Sequence, residues 1–196
     1  METIDLAKKF KALYTAKRVP QEVVAEAGTF LAVDDRGPPG SEAFQAAIQC
    51  LFSAVYTIKF SGKQEGSLDF KIAKLECLYF SDPGTPMTDW QWRVLIRVPD
   101  EVTAKHLAAT RKALKEQKGL DISAVRRIRW KEGRAVQILH VGPYDQVGQA
   151  YEQLHAYAKQ QGFELSGPAH EIYLNDPRRC APEKLKTIVR LSAPSR

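Results

Sequence analysis

The chain repeats itself, and the repeat limits what it can fold into. Residues 26–41 (EAGTFLAVDDRGPPGS) and 131–146 (KEGRAVQILHVGPYDQ) place their turn residues alike: Gly28 with Gly133, Gly37 with Gly142 and Pro38 with Pro143, each pair 105 residues apart. Glycine and proline punctuate the backbone, so three coincident ones mark two copies of one supersecondary unit. A helical stripe follows each Gly-Pro. It is Phe44, Ile48, Leu51 and Val55 in the first copy, and Val147, Tyr151, Leu154 and Ala158 in the second. Ser41 and Asp145 are suited to cap these helices, and Gly62 and Gly162 to end them. Two strand-like runs come next in each copy: 70–80 and 90–98, then 169–175 and 185–191.

The run 90–98 shows the pattern most plainly. Trp90, Trp92, Val94, Ile96 and Val98 share one face, with Gln91, Arg93 and Arg97 opposite, as in a strand with one face on a core. Between the copies, 103–118 reads as a Lys-rich amphipathic helix with Ala104, Leu107, Ala108 and Leu114 inward. Leu6, Phe10, Leu13 and Tyr14 predict a short helical arm over 1–19 that ends before Pro20. The expected fold is α+β: two βαββ repeats, about 20–100 and 122–194, related by a pseudo-twofold axis within one domain over 20–194. Their strands form an antiparallel sheet carrying two long helices. Two such units bury their sheet faces together and leave a groove at the join, the expected place for a site.

Composition removes several function classes. With 44% hydrophobic residues the chain supports a core, and it has no apolar run long enough for a membrane span or a secretory segment. Three widely spaced cysteines, Cys50, Cys77 and Cys180, suit a reducing cytoplasm better than a disulfide framework. The net charge of +6 invites a nucleic-acid reading. Its clusters (Lys8, Lys9, Lys11, Lys17 and Arg18; Arg126, Arg127 and Arg129; Arg178 and Arg179) lack aromatic interleaving or a groove-reading helix, and solvated faces account for them. HEIYL starts like a zinc-protease motif but has Leu174 at its fifth position, and His106, His140, His155 and His170 are scattered. No metal is expected, and with no phosphate-binding glycine motif no cofactor is expected either.

HVGPYDQVGQAYEQL, GPAHEIYLNDPRR and PEKLKTIVR in the second half, with FLAVDDRGPPGSEAFQAAI, VYTIKF, KLECLYF and WQWRVLIRVPD in the first, resemble the GyrI-like small-molecule-binding domain. This is the effector module also found in multidrug-responsive regulators such as Rob and BmrR, and the resemblance, to the stand-alone branch, runs over about 20–194. Two departures stand out. KLECLYF carries Cys77, Tyr79 and Phe80 where the family has Gly and a Trp pair, which makes the pocket wall less bulky. Only 19 residues precede Pro20, too few for a helix-turn-helix domain.

Strand parity puts Glu171, Tyr173 and Asn175 on one face and His170, Ile172 and Leu174 on the other. The resemblance implies that Glu171 lies mid-groove, as counter-ion to aromatic cations or as a general base raised by desolvation. A solvated strand glutamate is the alternative. Glu76 aligns with it as E-C-L-Y against E-I-Y-L, so a pseudo-twofold would bring a second carboxylate to the groove; an exposed or ion-paired Glu76 fits equally. Tyr56, about 100° from its helix stripe, flanks the core and is placed to offer a hydroxyl. Trp90 and Trp92 supply either stacking surface or core. Phe80, Tyr144 and Tyr173 complete the candidate ligand contacts.

The resemblance implies a small-molecule ligand, planar and aromatic or a lipophilic cation. In the stand-alone branch it also implies hydrolysis of cyclopropane-bearing alkylators, with Glu171 as base and Tyr56 orienting substrate or water. A non-catalytic multidrug binder or sensor is the second reading, and a gyrase- or nucleic-acid-interacting protein the third. A homodimer is compatible with all three.

Overall fold

At both Gly-Pro turns the backbone takes a conformation that L side chains rarely adopt, with φ of 118° at Gly37 and 146° at Gly142. These turns end the long strand of each unit. The computed structural model describes residues 2–82 and 84–194. An N-terminal arm holds β1 (Ile4–Asp5), α1 (Leu6–Lys9) and α2 (Lys11–Tyr14). The first unit holds β2 (Gln21–Ala25), β3 (Gly28–Arg36), α3 (Glu42–Gln64), β4 (Phe70–Lys71), β5 (Leu75–Tyr79) and β6 (Gln91–Val98). After α4 (Ala104–Lys118), the second unit holds β7 (Arg126–Trp130), β8 (Gly133–Val141), α5 (Gly148–Gln160), β9 (Ser166–Tyr173) and β10 (Lys186–Ser192).

Eight strands form one antiparallel sheet in the order β2-β8-β10-β9-β5-β6-β3-β7. Exchanging β2 with β7, β3 with β8, β6 with β10 and β5 with β9 gives the same order read from the other end. Such an order is what a pseudo-twofold requires. Each unit lends its first strand to the edge of the other, β2 to β8 and β7 to β3. The two halves meet where β5 pairs β9, with Cys77 opposite Glu171.

Ser41 caps α3, its hydroxyl accepting from the Phe44 amide at 3.3 Å. Phe44, Ala47, Leu51, Ala54, Val55 and Ile58 turn inward onto Leu31, Val33, Trp92, Val94 and Ile96. Each large apolar side chain so buried stabilises the fold by about 1.5–3 kcal/mol. Gly62, expected to end the helix, lies inside it and is buried. A Cβ there would come within 2.8 Å of the Leu68 carbonyl, so glycine permits the close approach of the following segment. Asp145 is likewise not a cap: a 3-10 turn, Tyr144–Gln146, precedes α5. Ala150 and Leu154 of α5 pack on Val136, Ile138, Val189 and Leu191 as a separate cluster. Helices α3 and α5 thus cover the two wings of one sheet face and flank its centre.

The opposite face is covered by the N-terminal arm and carries buried charges. The Tyr14 hydroxyl donates to Glu76 (2.8 Å); Glu76 meets His170 Nε2 (2.9 Å); His170 Nδ1 meets Glu132 (3.1 Å); and Arg190 donates to Glu132 (3.0 Å). Arg190 also donates to Gln137 and to the Leu13 carbonyl, and Gln137 donates to the carbonyls of Ala12 and Thr15. Arg97, expected to face solvent, is buried because the arm lays Phe10 against its guanidinium at 3.7 Å.

Burial opposes the ionisation of Glu132, yet the charges and hydrogen bonds of His170 and Arg190 bring it down to about 2. Burial also opposes the charged form of His170, and Glu132 and Glu76 outweigh it and raise the imidazole above 6.5. His170 therefore contributes its full stabilisation below about pH 6.5 and loses it as pH climbs through the raised value. Glu132 contributes above 4.5 and loses it as pH falls toward 2. Glu132→Gln leaves Arg190 buried without its anion and His170 with Glu76 alone, and should cost about 3–5 kcal/mol in urea unfolding at pH 5.5. The gap to wild type should narrow on either side of the 4.5–6.5 window.

Candidate functional site

Between α3 and α5 a cleft of about 2950 Å³ opens over the central strands, well beyond the ~300–1,000 Å³ of a typical closed ligand pocket. Its floor comes from β5 and β9, where the alternation of side chains decides what faces in. Leu75, Tyr79, Ala169, Glu171 and Tyr173 face the cleft, while Glu76, Leu78, His170 and Ile172 face the other side of the sheet.

Glu171 is only 7% exposed. The Tyr151 hydroxyl, on the α5 face turned to the sheet, donates to Oε1 at 2.9 Å, and the Tyr173 hydroxyl donates to Oε2 at 3.0 Å. A further 3.0 Å bond joins the Tyr173 and Tyr79 hydroxyls. Burial pushes the Glu171 carboxyl above its usual 4.5, and the two phenol bonds, which favour the anion, hold back part of that rise. Burial and the Glu171 charge raise Tyr151 and Tyr173 well above 10, so both stay phenols. This is a carboxylate among rings, poised to hold or accept a proton.

The walls are aromatic. On α3, Phe52, Tyr56 and Phe60 form a ladder with centroids 6.2 and 6.0 Å apart, and Tyr56 is 46% exposed along the cleft. Tyr144 sits edge-on to Tyr173 at 5.6 Å, and Trp90 edge-on to Tyr79 at 5.7 Å. The Trp90 indole donates to the Thr85 carbonyl, which leaves its ring as the surface it offers. Phe80 lines the rim beneath the Arg93 guanidinium. The cleft thus gathers Glu171, Tyr56, Trp90, Phe80, Tyr144 and Tyr173.

Glu76 and Trp92 lie elsewhere. Trp92 is 1% exposed, packs edge-on to Phe44 at 4.9 Å and donates to the Gly37 carbonyl, so it is core. Glu76 is 3% exposed on the opposite face, in the His170 network. The reason is register. The pairings carry Glu76 onto His170, Cys77 onto Glu171 and Tyr79 onto Tyr173, one residue away from the match of E-C-L-Y with E-I-Y-L. One residue turns a strand side chain to the other face. Cys77 therefore stands where a symmetric second carboxylate would, and burial pushes its thiol well above 9.

Sequence reasoning passed over Tyr151, which looks like an apolar stripe position, and Tyr79. The arginines at 126, 129 and 178 are paired with Asp34, Asp100 and Asp176. Among the described residues no three His, Cys, Asp or Glu side chains gather as for a metal ion, and no helix is long and apolar enough to cross a membrane.

Each unit adds a strand, β2 or β7, ahead of the expected βαββ and gives four strands to the sheet. An aromatic cleft with one buried carboxylate on such a sheet defines a small-molecule-binding domain. Residues 20–192 match the GyrI-like small molecule binding domain, and the chain belongs to that family. Among solved structures it is similar to a conserved protein from Listeria innocua (34% identity over 98% of this chain and 100% of that one, TM-score 0.93). A hydrolase from Listeria innocua is similar to the same degree (34% identity, the same coverage, TM-score 0.90). The EcmrR C-terminal domain, 14% identical over 94% of this chain and 99% of that one, shares the fold at a TM-score of 0.58. No curated protein sequence matches the chain.

Tyr151→Phe removes one of the two donors that favour the Glu171 anion. A hydrogen bond to a charged group contributes about 1.5–3 kcal/mol, so the Glu171 carboxyl should rise by roughly 1–2 pH units. A carbon-13 NMR titration of the labelled carboxyl reads this directly; an unshifted curve would show that Tyr151 does not support the charge.

Proposed function

We propose that this protein is a hydrolase of planar, conjugated electrophiles, adding water across the strained ring of a cyclopropane-bearing alkylating compound. The observation that carries the reading is Glu171: a buried carboxylate with raised affinity for a proton, held by two phenols at the floor of an aromatic cleft. Similarity to the Listeria innocua hydrolase along nearly the whole chain supports it.

The chemistry asks little of the protein. A cyclopropane conjugated to a carbonyl is already activated, because opening the ring moves its electron pair into the conjugated system. The cleft stacks the planar part against Tyr56, Trp90 and Tyr144 so that the strained carbon faces Glu171. Glu171 takes a proton from water as the water oxygen bonds to that carbon and the ring C–C bond breaks. Tyr56, on the facing helix, orients the substrate. Such a protein would act inside the cell, intercepting alkylators before they reach DNA.

A second reading, binding or sensing of lipophilic cations without turnover, is favoured by the same carboxylate among the exposed rings of the α3 ladder, a setting that attracts a desolvated cation. One substitution separates the two. Under the hydrolytic reading, Glu171→Gln keeps ligand affinity and lowers kcat by about 10²–10⁴-fold, because Gln retains the hydrogen bonds and loses the basicity. Under the counter-ion reading, no hydrated product forms with either protein and cation affinity falls by about 1–3 kcal/mol. Single-turnover kinetics with mass analysis, alongside calorimetric titration of a planar cation, decides between them.

A further inference from the structure

Water addition needs one proton removed and another delivered. The base takes a proton from water, and the substrate oxygen that receives the ring electrons must gain one. Glu171 accounts for the first half alone.

The second half is legible in the hydrogen bonds around it. Tyr173 donates to Glu171 Oε2 at 3.0 Å, and the Tyr79 and Tyr173 hydroxyls lie 3.0 Å apart. A phenol has a single proton, and an ionised carboxylate only accepts. Tyr173 has therefore committed its proton to Glu171, so Tyr79 must be the donor in the bond between the tyrosines. While Glu171 is an anion, the line runs one way: Tyr79 to Tyr173 to Glu171. A proton arriving on Glu171 reverses it. The new carboxyl proton turns to Tyr173, that of Tyr173 turns to Tyr79, and Tyr79 must then donate elsewhere. Tyr79 borders the cleft as well as the Cys77 thiol, so an oxygen of a bound ligand, a far better acceptor than a thiol, can take that proton. Register explains why the residues meet: Tyr79 and Tyr173 are corresponding positions of the two units, brought together across the β5–β9 junction.

We propose that Tyr173 and Tyr79 form a proton relay that carries the proton from Glu171 to the oxygen of the opened substrate. The step balances. Water gives one hydrogen to Glu171 and its oxygen to the ring carbon. The ring C–C electron pair moves into the conjugated carbonyl. Glu171 hands its proton to Tyr173, Tyr173 its own to Tyr79, and Tyr79 its own to the carbonyl oxygen. The protein returns to its starting state, and the product carries two new O–H groups. Tyr79, which would touch the substrate, is the terminal acid, and Tyr173 is the link. This inference rests on the hydrolytic reading of Glu171.

The test compares wild type, Tyr79→Phe, Tyr173→Phe and Glu171→Gln on an aryl-fused spirocyclopropyl cyclohexadienone, in mixtures of H2O and D2O. Phe keeps each ring and its edge contacts. Wild type should give a curved proton inventory, the mark of several protons in flight. Tyr79→Phe should keep KM within about twofold, lose about 10–100-fold in kcat and give a linear inventory; Tyr173→Phe should do the same. A Tyr79→Phe variant with wild-type kcat and an unchanged isotope effect overturns the relay, while an inactive Glu171→Gln beside it leaves the hydrolytic reading standing. Glu171→Gln at wild-type rate removes the base and the relay together. The wild-type inventory stands apart from the folding of any variant, and a linear one also overturns the proposal.

Discussion

The antiparallel pairing of β5 with β9 joins two halves that could not cover their sheet faces separately, and it decides the fate of every polar side chain at the centre. With Cys77 opposite Glu171, one face of the junction presents Glu171, Tyr173 and Tyr79 to the cleft, and the other presents Glu76 and His170 to the arm. A slip of one residue on β9 would bury Ile172 among the cleft phenols and turn Glu171 toward Glu132 and Glu76. Both outcomes are costly, so the polar residues enforce the register as much as the apolar ones do.

The two faces treat buried carboxylates differently, and the difference separates structure from chemistry. On the arm side each carboxylate has a formal cation or an imidazole against it, and Glu132 is held ionised down to about pH 2. Those charges lock the arm to the sheet through the backbone carbonyls of Ala12, Leu13 and Thr15. On the cleft side, Glu171 hydrogen-bonds only phenols among the described residues. Phenols orient a carboxylate without neutralising it, which leaves its charge and basicity available to a ligand.

Much of this was legible in the sequence, for identifiable reasons. The repeat shows because Gly37, Gly142 and their prolines meet a backbone requirement that few residues satisfy. Strand parity puts Glu171 and Tyr173 on one face, the resemblance to the GyrI-like domain points that face at the groove, and the long helices follow from their stripes. For Glu76 the ion-paired alternative holds, because the similar letters E-C-L-Y and E-I-Y-L suggest a register that the hydrogen-bond ladder sets one residue away. Arg97 looked solvated because the alternation of its strand cannot reveal that Phe10, 87 residues earlier, covers it. Tyr151 was hidden by its own ring, which reads as apolar at a stripe position while its hydroxyl reaches the carboxylate. What escaped the sequence is, in each case, a contact between distant segments.

The central claim is that Glu171 activates water against a strained carbon. The direct measurement is mass analysis of the product formed by the wild-type protein from the spirocyclopropyl dienone in water enriched in oxygen-18. The account predicts a product heavier by one water, with the label on the former ring carbon and no adduct on the protein. Tight binding with the compound recovered intact, or a protein-bound adduct in place of hydrated product, would contradict it.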